Sequence, residues 1–165
     1  MTTGPGNGPL CLPANPRPER RPTICMVTST AAALLAGFVL TSPSFGNGGA
    51  IPRRYTCAGP DLSPPLRWTA PPRGTDSLTL LVTDPDAPGG RFVHWRATAI
   101  PPRAGSIGEG EHFAHEGQNG FGRRGYSGPC PPAGPPHRYV FVMRALDAHG
   151  RTLASAKLVA RYARR

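Results

Sequence analysis

Three clusters of side chains have the composition of a binding or reactive site, and each falls where an apolar run gives way to Gly and Pro. Asp84-Pro85-Asp86-Ala87-Pro88 places two carboxylates one residue apart. Such a pair can bind a metal, hold a histidine or cap a turn, and beside proline the turn is the commonest use. The prolines, Pro88 above all, allow a cis bond that would fix a sharp corner. His94-Trp95 is the second cluster. Strand alternation groups His94 with Phe92, Arg96, Thr98 and Ile100, and sets Val93, Trp95, Ala97 and Ala99 on the other face. A lone strand histidine is more often a packed core residue than a ligand. The third cluster runs from Gly125 to Gly134 and leads into His137-Arg138-Tyr139. So much Gly and Pro forces an unusual backbone path, which can aim amide N–H groups at an anion. Alternation then gives His137 and Tyr139 a common face.

Strands are needed to hold these clusters. Residues 78–82 are a short apolar run stopped by Asp84-Pro85 and read as a buried strand. Residues 92–100 form the next, and residues 139–146, rich in Val and Phe, a third. Phe38, Leu40 and Phe45 are spaced for a short strand and its exit turn. Residues 46–49 read as a loop and residues 52–65 as an irregular stretch. Residues 101–136 are glycine-rich and without periodicity, a loop of the length that is usually functional or disordered. Residues 152–162 carry Ala, Leu and Lys without a breaker and predict a short C-terminal helix. Residues 1–25 are expected to be a disordered Pro/Gly-rich leader, and residues 36–165 one domain. Arg20 and Arg21 ahead of residues 24–36 imitate the start of a signal peptide, yet no small-x-small cleavage site follows. A cytoplasmic location is expected, with secretion or the periplasm as the alternative.

Composition narrows the class. Among 165 residues, 22 Pro and 21 Gly argue against a helical bundle and for a mostly β protein of one domain. The net charge is +10, but four Arg and one Lys fall in residues 151–165, where there is no acid. No aromatic interleaving accompanies them, so no specific nucleic-acid partner is expected, only weak contact with an anionic membrane. Cys11, Cys25, Cys57 and Cys130 make no zinc-type spacing, and free thiols in a reducing cytoplasm are expected. Cys57 and Cys130 both lie in turn-like segments that could meet. Trp68 and Trp95 read as core, Glu109, Glu111 and Glu116 as surface charges, and Arg123-Arg124 as a solvated loop pair. No GxSxG-type nucleophile motif is present.

Taken together, the motifs resemble the phosphatidylethanolamine-binding protein family, most closely its bacterial Raf-kinase-inhibitor-like branch. The matching residues are Phe38-x-Leu40-x-Ser42-Pro43-x-Phe45, Ile51-Pro52, Tyr55-Thr56-Cys57, Ser63-Pro64-Pro65-Leu66-x-Trp68, Asp84-Pro85-Asp86-Ala87-Pro88, His94-Trp95, Gly125-Tyr126-x-Gly128-Pro129 and His137-Arg138-Tyr139. The resemblance implies two packed β-sheets of Greek-key character and a small anion pocket at one end. It also implies the lining of that pocket: Asp84, Asp86, His94, Gly128, Pro129 and His137, with Tyr139 nearby. The implied function is a non-catalytic binding protein for phosphorylated headgroups or phospho-side chains, needing no cofactor or resident metal. A modulator of a kinase or protease partner is within the same resemblance. Physical chemistry agrees with such a set, because a phosphate needs donors and imidazoles or loop amides supply them. The aspartates would repel a phosphate, so they should orient a histidine or meet an ammonium. The alternative is a hydrolase using Asp84, Asp86, His94 and His137 as a metal site or acid–base set. One departure stands out: the loop and helical segment that the family places between Asp147 and its last helix are missing. Their loss would uncover a sheet edge and favour a homodimer.

Overall fold

The computed structural model describes Met1, residues 37–103 and residues 105–164. The signal-like stretch, Cys11 and Cys25 lie outside the described residues. Two antiparallel sheets share one hydrophobic core. In chain order the strands are β1 (Leu40–Thr41), β2 (Leu66–Trp68), β3 (Ser77–Asp84), β4 (Phe92–Ile100), β5 (Gly105–Ile107), β6 (His137–Leu146) and β7 (Thr152–Tyr162). The small sheet has the order β1-β2-β5 and the large one β4-β3-β6-β7.

Period-two burial explains the large sheet. Leu78, Leu80 and Val82 of β3 turn to the core, as do Tyr139, Phe141, Met143 and Ala145 of β6. Leu40, Leu66, Trp68 and Ile107 bring the small sheet into the same cluster. The three-residue strands β2 and β5 fall where no strand was expected, at the end of the irregular stretch and inside the long glycine-rich segment.

Residues 152–162 correct the expected helix: they are strand β7, paired with β6 from His137↔Tyr162 to Leu146↔Thr152. Ala156, Leu158 and Ala160 are buried at every second position, a pattern that suits a sheet and not a helix. The helical preference of Ala, Leu and Lys amounts to only some tenths of a kcal/mol per residue, and a full ladder of backbone bonds outweighs it. The chain passes from β6 to β7 through a tight turn in which the Asp147 and Arg151 backbones meet at 2.9 Å. Gly150 takes a φ of 76° there, a conformation that costs glycine little. The Asp147 carboxylate accepts from the His149 and Arg151 amides, each at 2.9 Å.

The outer edge of β7 is partly covered. Gly48 N–H donates to Val159 O at 2.6 Å, Ile51 N–H to Arg161 O at 2.8 Å, and Arg161 N–H to Gly49 O at 2.8 Å. Asn47 Oδ1 accepts from Val159 N–H at 2.9 Å. Phe45 and Ile51, on either side of this strip, are anchored in the core. Among the described residues no peptide bond is cis, so the corner after β3 is turned with Pro88 in the trans form. Asp84 Oδ1 makes that corner by accepting from Asp86 N–H at 2.8 Å.

Candidate functional site

The end of β3, the start of β4 and the start of β6 meet at one end of the large sheet. Asp84 is paired with Phe92, and Thr83 with Val93 and Val140. Asp84 is buried, and its Oδ2 accepts from His137 Nδ1–H at 2.7 Å. Since Oδ1 holds the Asp86 amide, the carboxylate is committed on both oxygens. It orients the His137 ring and leaves Nε2 free.

His94 reaches the same place through a bulge. The pairing of β3 with β4 runs Val82↔Trp95 and then Thr83↔Val93, so His94 is the extra residue. A bulge breaks the alternation locally, and consecutive His94 and Trp95 are both buried, at 3% and 0% exposure. A second irregularity lies between Ala97 and Ile100, where Ala99 has a φ of 52°. It carries Ile100 to the buried side with Ala97 and Trp95. The simple two-face reading of this strand is therefore corrected at both ends.

His94 Nδ1–H donates to Ser127 O at 2.7 Å, and Ser127 N–H donates back to His94 O at 3.0 Å. Burial holds the His94 imidazole below its ordinary pKa, against the smaller opposing effects of the Ser127 bond and Asp84. Its ring lies edge-on to Tyr139, with centroids 5.2 Å apart, and close to Phe92 and Phe121. Tyr139 is 1% exposed, and among the described residues its hydroxyl alone is a buried side-chain polar atom with no hydrogen-bond partner. Burial, reinforced by the Asp84 carboxylate, pushes the phenol well above its usual range.

Asp84, His94, His137 and Tyr139 face a cavity of about 280 Å³. Ala87, Pro88, Phe92, Phe121, Pro131 and Pro132 make its apolar wall, together with Cys130. The other three expected site residues do not line it. Asp86 turns outward to Arg138, accepting from the backbone N–H and Nε at 2.9 Å each and from Nη2 at 2.6 Å. That guanidinium holds the Asp86 carboxyl well below the usual carboxylate range. Gly128 spends its amide on Asp61 Oδ1 at 2.8 Å, and a Cβ there would stand 2.3 Å from Tyr55 O. Pro129 accepts from Cys57 N–H at 3.1 Å. Gly128 and Pro129 thus shape the wall from behind, and Gly128 borders a smaller adjoining cavity of about 200 Å³.

Cys57 and Cys130 are joined in a disulfide, which corrects the free-thiol expectation. The bond ties the Gly128-Pro129-Cys130 wall to the segment after a 3-10 turn, Arg53–Tyr55. Several supporting residues escaped the sequence reading. Asp61 sits in an irregular stretch with nothing to distinguish it, and its φ is 59°. Asn119, which is buried, donates to Gly125 O and Ser127 Oγ and accepts from the Phe121 and Arg123 amides. Glu116 corrects the surface-charge reading, because its side chain is 7% exposed and accepts from Trp95 Nε1 at 2.7 Å. Glu109 accepts from Tyr55 and Arg54, and Glu111 from the Gly108 amide. Among the described residues no three His, Cys, Asp or Glu side chains are placed to hold a metal ion, and no helix is long and apolar enough to cross a membrane.

Comparison with known proteins agrees with this architecture. A family model described as phosphatidylethanolamine-binding protein matches residues 41–163. LppC of Mycobacterium tuberculosis, which bears a lipoprotein name, is 43% identical over 118 residues, covering 70% of this chain and 58% of LppC. The chain therefore spans little more than half the length of that curated relative. A crystal structure described as a homologue of the same family from Chlamydia trachomatis superposes with a TM-score of 0.73 at 34% identity, over 78% of this chain and 99% of that one. YbcL of E. coli, described as a new member of the mammalian family, gives a TM-score of 0.71 at 28% identity, over 79% of this chain and 100% of its own.

Proposed function

The chain belongs to the phosphatidylethanolamine-binding protein family, and from that premise we propose that its cavity binds the phosphate of a phosphorylated headgroup or phospho-side chain without transforming it. The observation that carries this reading is the convergence of His94 and the Asp84-oriented His137 on one cavity whose remaining wall is largely apolar. His137 Nε2 faces the same space, while the apolar wall excludes water and strengthens each polar contact. Asp84 serves the site by orienting His137, and no Arg lines the cavity to compete with the histidines. Ligands of this kind are displayed on phosphoproteins as well as on small molecules, so restraint of a kinase or protease partner is part of the proposal.

A second reading rests on the Asp84–His137 pair, which has the arrangement of an oriented acid–base group. It makes the protein a hydrolase, and release of inorganic phosphate from a bound ester would reveal it. The Cys57–Cys130 disulfide and the lipoprotein name of one relative favour an oxidising compartment over the cytoplasm.

Calorimetric titration with phosphoethanolamine and O-phosphotyrosine tests the binding reading. Saturable binding is expected for the native protein, weakened by about tenfold or more in His137→Ala, the range for losing a hydrogen bond to a charged group. A folded native protein that binds neither ligand would end the proposal.

A further inference from the structure

The outer face of the large sheet carries a pattern that neither the core nor the cavity uses. Leu80, Val82, Phe141, Met143 and Leu158 turn to the core, so the residues between them point the other way. Pairing sets these in rows across the order β4-β3-β6-β7. One row reads Arg96, Leu81, Val142, Lys157, with a cation at each end and two aliphatic residues between. The next row toward the cavity carries Thr83, Val140 and Val159. Leu81, Val140, Val142 and Val159 are half-buried, whereas Arg96, Arg144, Lys157 and Arg161 are exposed. Among the described residues none of these four cations makes an ion pair. The four strands contain one carboxylate, that of the buried Asp84. Asp86, at the cavity end, is spent on Arg138.

Across the sheet, Arg96 and Lys157 are three inter-strand steps apart, about 14 Å. An α-helix with its side chains is about 10–12 Å wide and lies between them with a flank beside each. Leu, Val and Thr are shorter than Arg and Lys, so the aliphatic strip is the floor of a shallow trough. A flat bilayer would span that floor, and these rows hold no aromatic side chain of the kind that anchors a membrane interface. A second copy of this chain would set cations against cations. We propose that this face docks an amphipathic helix of a partner protein, its apolar stripe on Leu81, Val140, Val142 and Val159 and its flanking Asp or Glu residues on the exposed cations. From Arg138 to Arg144 the face runs about 20 Å, so about 14 residues of helix cover it. The stripe supplies affinity, and the rows of like charge reject basic helices. No residue of this face lines the cavity, so the docking stands whether or not phosphate binds there.

The probe is a synthetic helix of about 14–18 residues, with Leu at i, i+3, i+4 and i+7 spacing and Glu along both borders of that stripe. Two companion peptides change one feature each: Lys for every border Glu, or Gln for every stripe Leu. Fluorescence anisotropy with the full chain should show the Glu peptide bound about tenfold or more tightly than either companion. Arg96→Glu with Lys157→Glu should weaken its binding about tenfold or more. Arg53→Glu with Arg67→Glu makes the same change in net charge away from this face and should leave binding near the native value. All four of these side chains are exposed, so both variants should fold. Failure of the folded native protein to bind the Glu peptide overturns the proposal. So does a companion peptide bound as tightly, or an equal loss in the two variants. Vesicles of phosphatidylcholine and phosphatidylglycerol form the lipid arm. If they capture the protein through Arg96 and Lys157 while the Glu peptide stays unbound, the face belongs to a membrane and the proposal falls. A native dimer that the same two substitutions dissociate gives the face to a second copy, with the same result.

Discussion

Among the described residues the buried Tyr139 hydroxyl has no hydrogen-bond partner, although its ring is packed against His94 and the core. Tyr139→Phe should raise the unfolding free energy by about 1 kcal/mol, measured by urea denaturation beside the native protein. His94 makes a second prediction at this scale. Its imidazole is depressed by burial below the ordinary value of about 6.5, so the unfolded chain takes up a proton that the native one refuses. The associated stability is complete above about pH 6.5 and drains away as pH falls below it, until the native ring itself protonates. Urea midpoints followed on acidification through that window should decline. A midpoint that rises instead contradicts the sign.

Elements differ in how plainly the sequence announces them, and the reasons are physical. β3 and β6 were legible because their apolar runs end at Asp84-Pro85 or follow His137, and β4 because Phe92, Val93 and Trp95 open it; those ends carry Asp84, His94, His137 and Tyr139. The bulge at His94 was not, since one extra residue leaves no compositional trace while it moves a side chain to another face. β2 and β5 are too short for any alternation to register. β7 is built from Ala, Leu, Lys and Val, a mixture that either regular structure accepts, and only the open edge of β6 decides between them. Asp86, Gly128 and Pro129 share motifs with true cavity residues, but a neighbouring position in the chain can point outward or lie behind the wall. Glu116 was misread because burial of a carboxylate depends on the Trp95 indole and the Phe113 amide it finds, neither adjacent in sequence. Leu158→Ala is the direct check on β7. At 3% exposure and facing the core, its loss should cost about 2–5 kcal/mol by chemical denaturation, far more than a truncation on a solvated helix.

On the scale of the whole molecule, the Cys57–Cys130 bond closes a span of 73 residues that includes β2 to β5 and most of the long glycine-rich segment. By loop-closure entropy it is worth about 4 kcal/mol, which in a domain with short strands in its second sheet is a large share of the total. Cys57→Ser with Cys130→Ser should lower the unfolding free energy by up to that amount and loosen the cavity wall, so ligand affinity and denaturation midpoint fall together. Unchanged stability under a dithiol reductant would show that the span holds itself together. The strip of residues 46–51 along β7 has a different consequence, for how far the amino end can be cut back. A protease that clipped after Ile51 would bare the Val159 and Arg161 backbone and offer it as a template to the next chain. Preparations trimmed only as far as Gly37 keep that seam shut, and the first sign of overcutting will be turbidity.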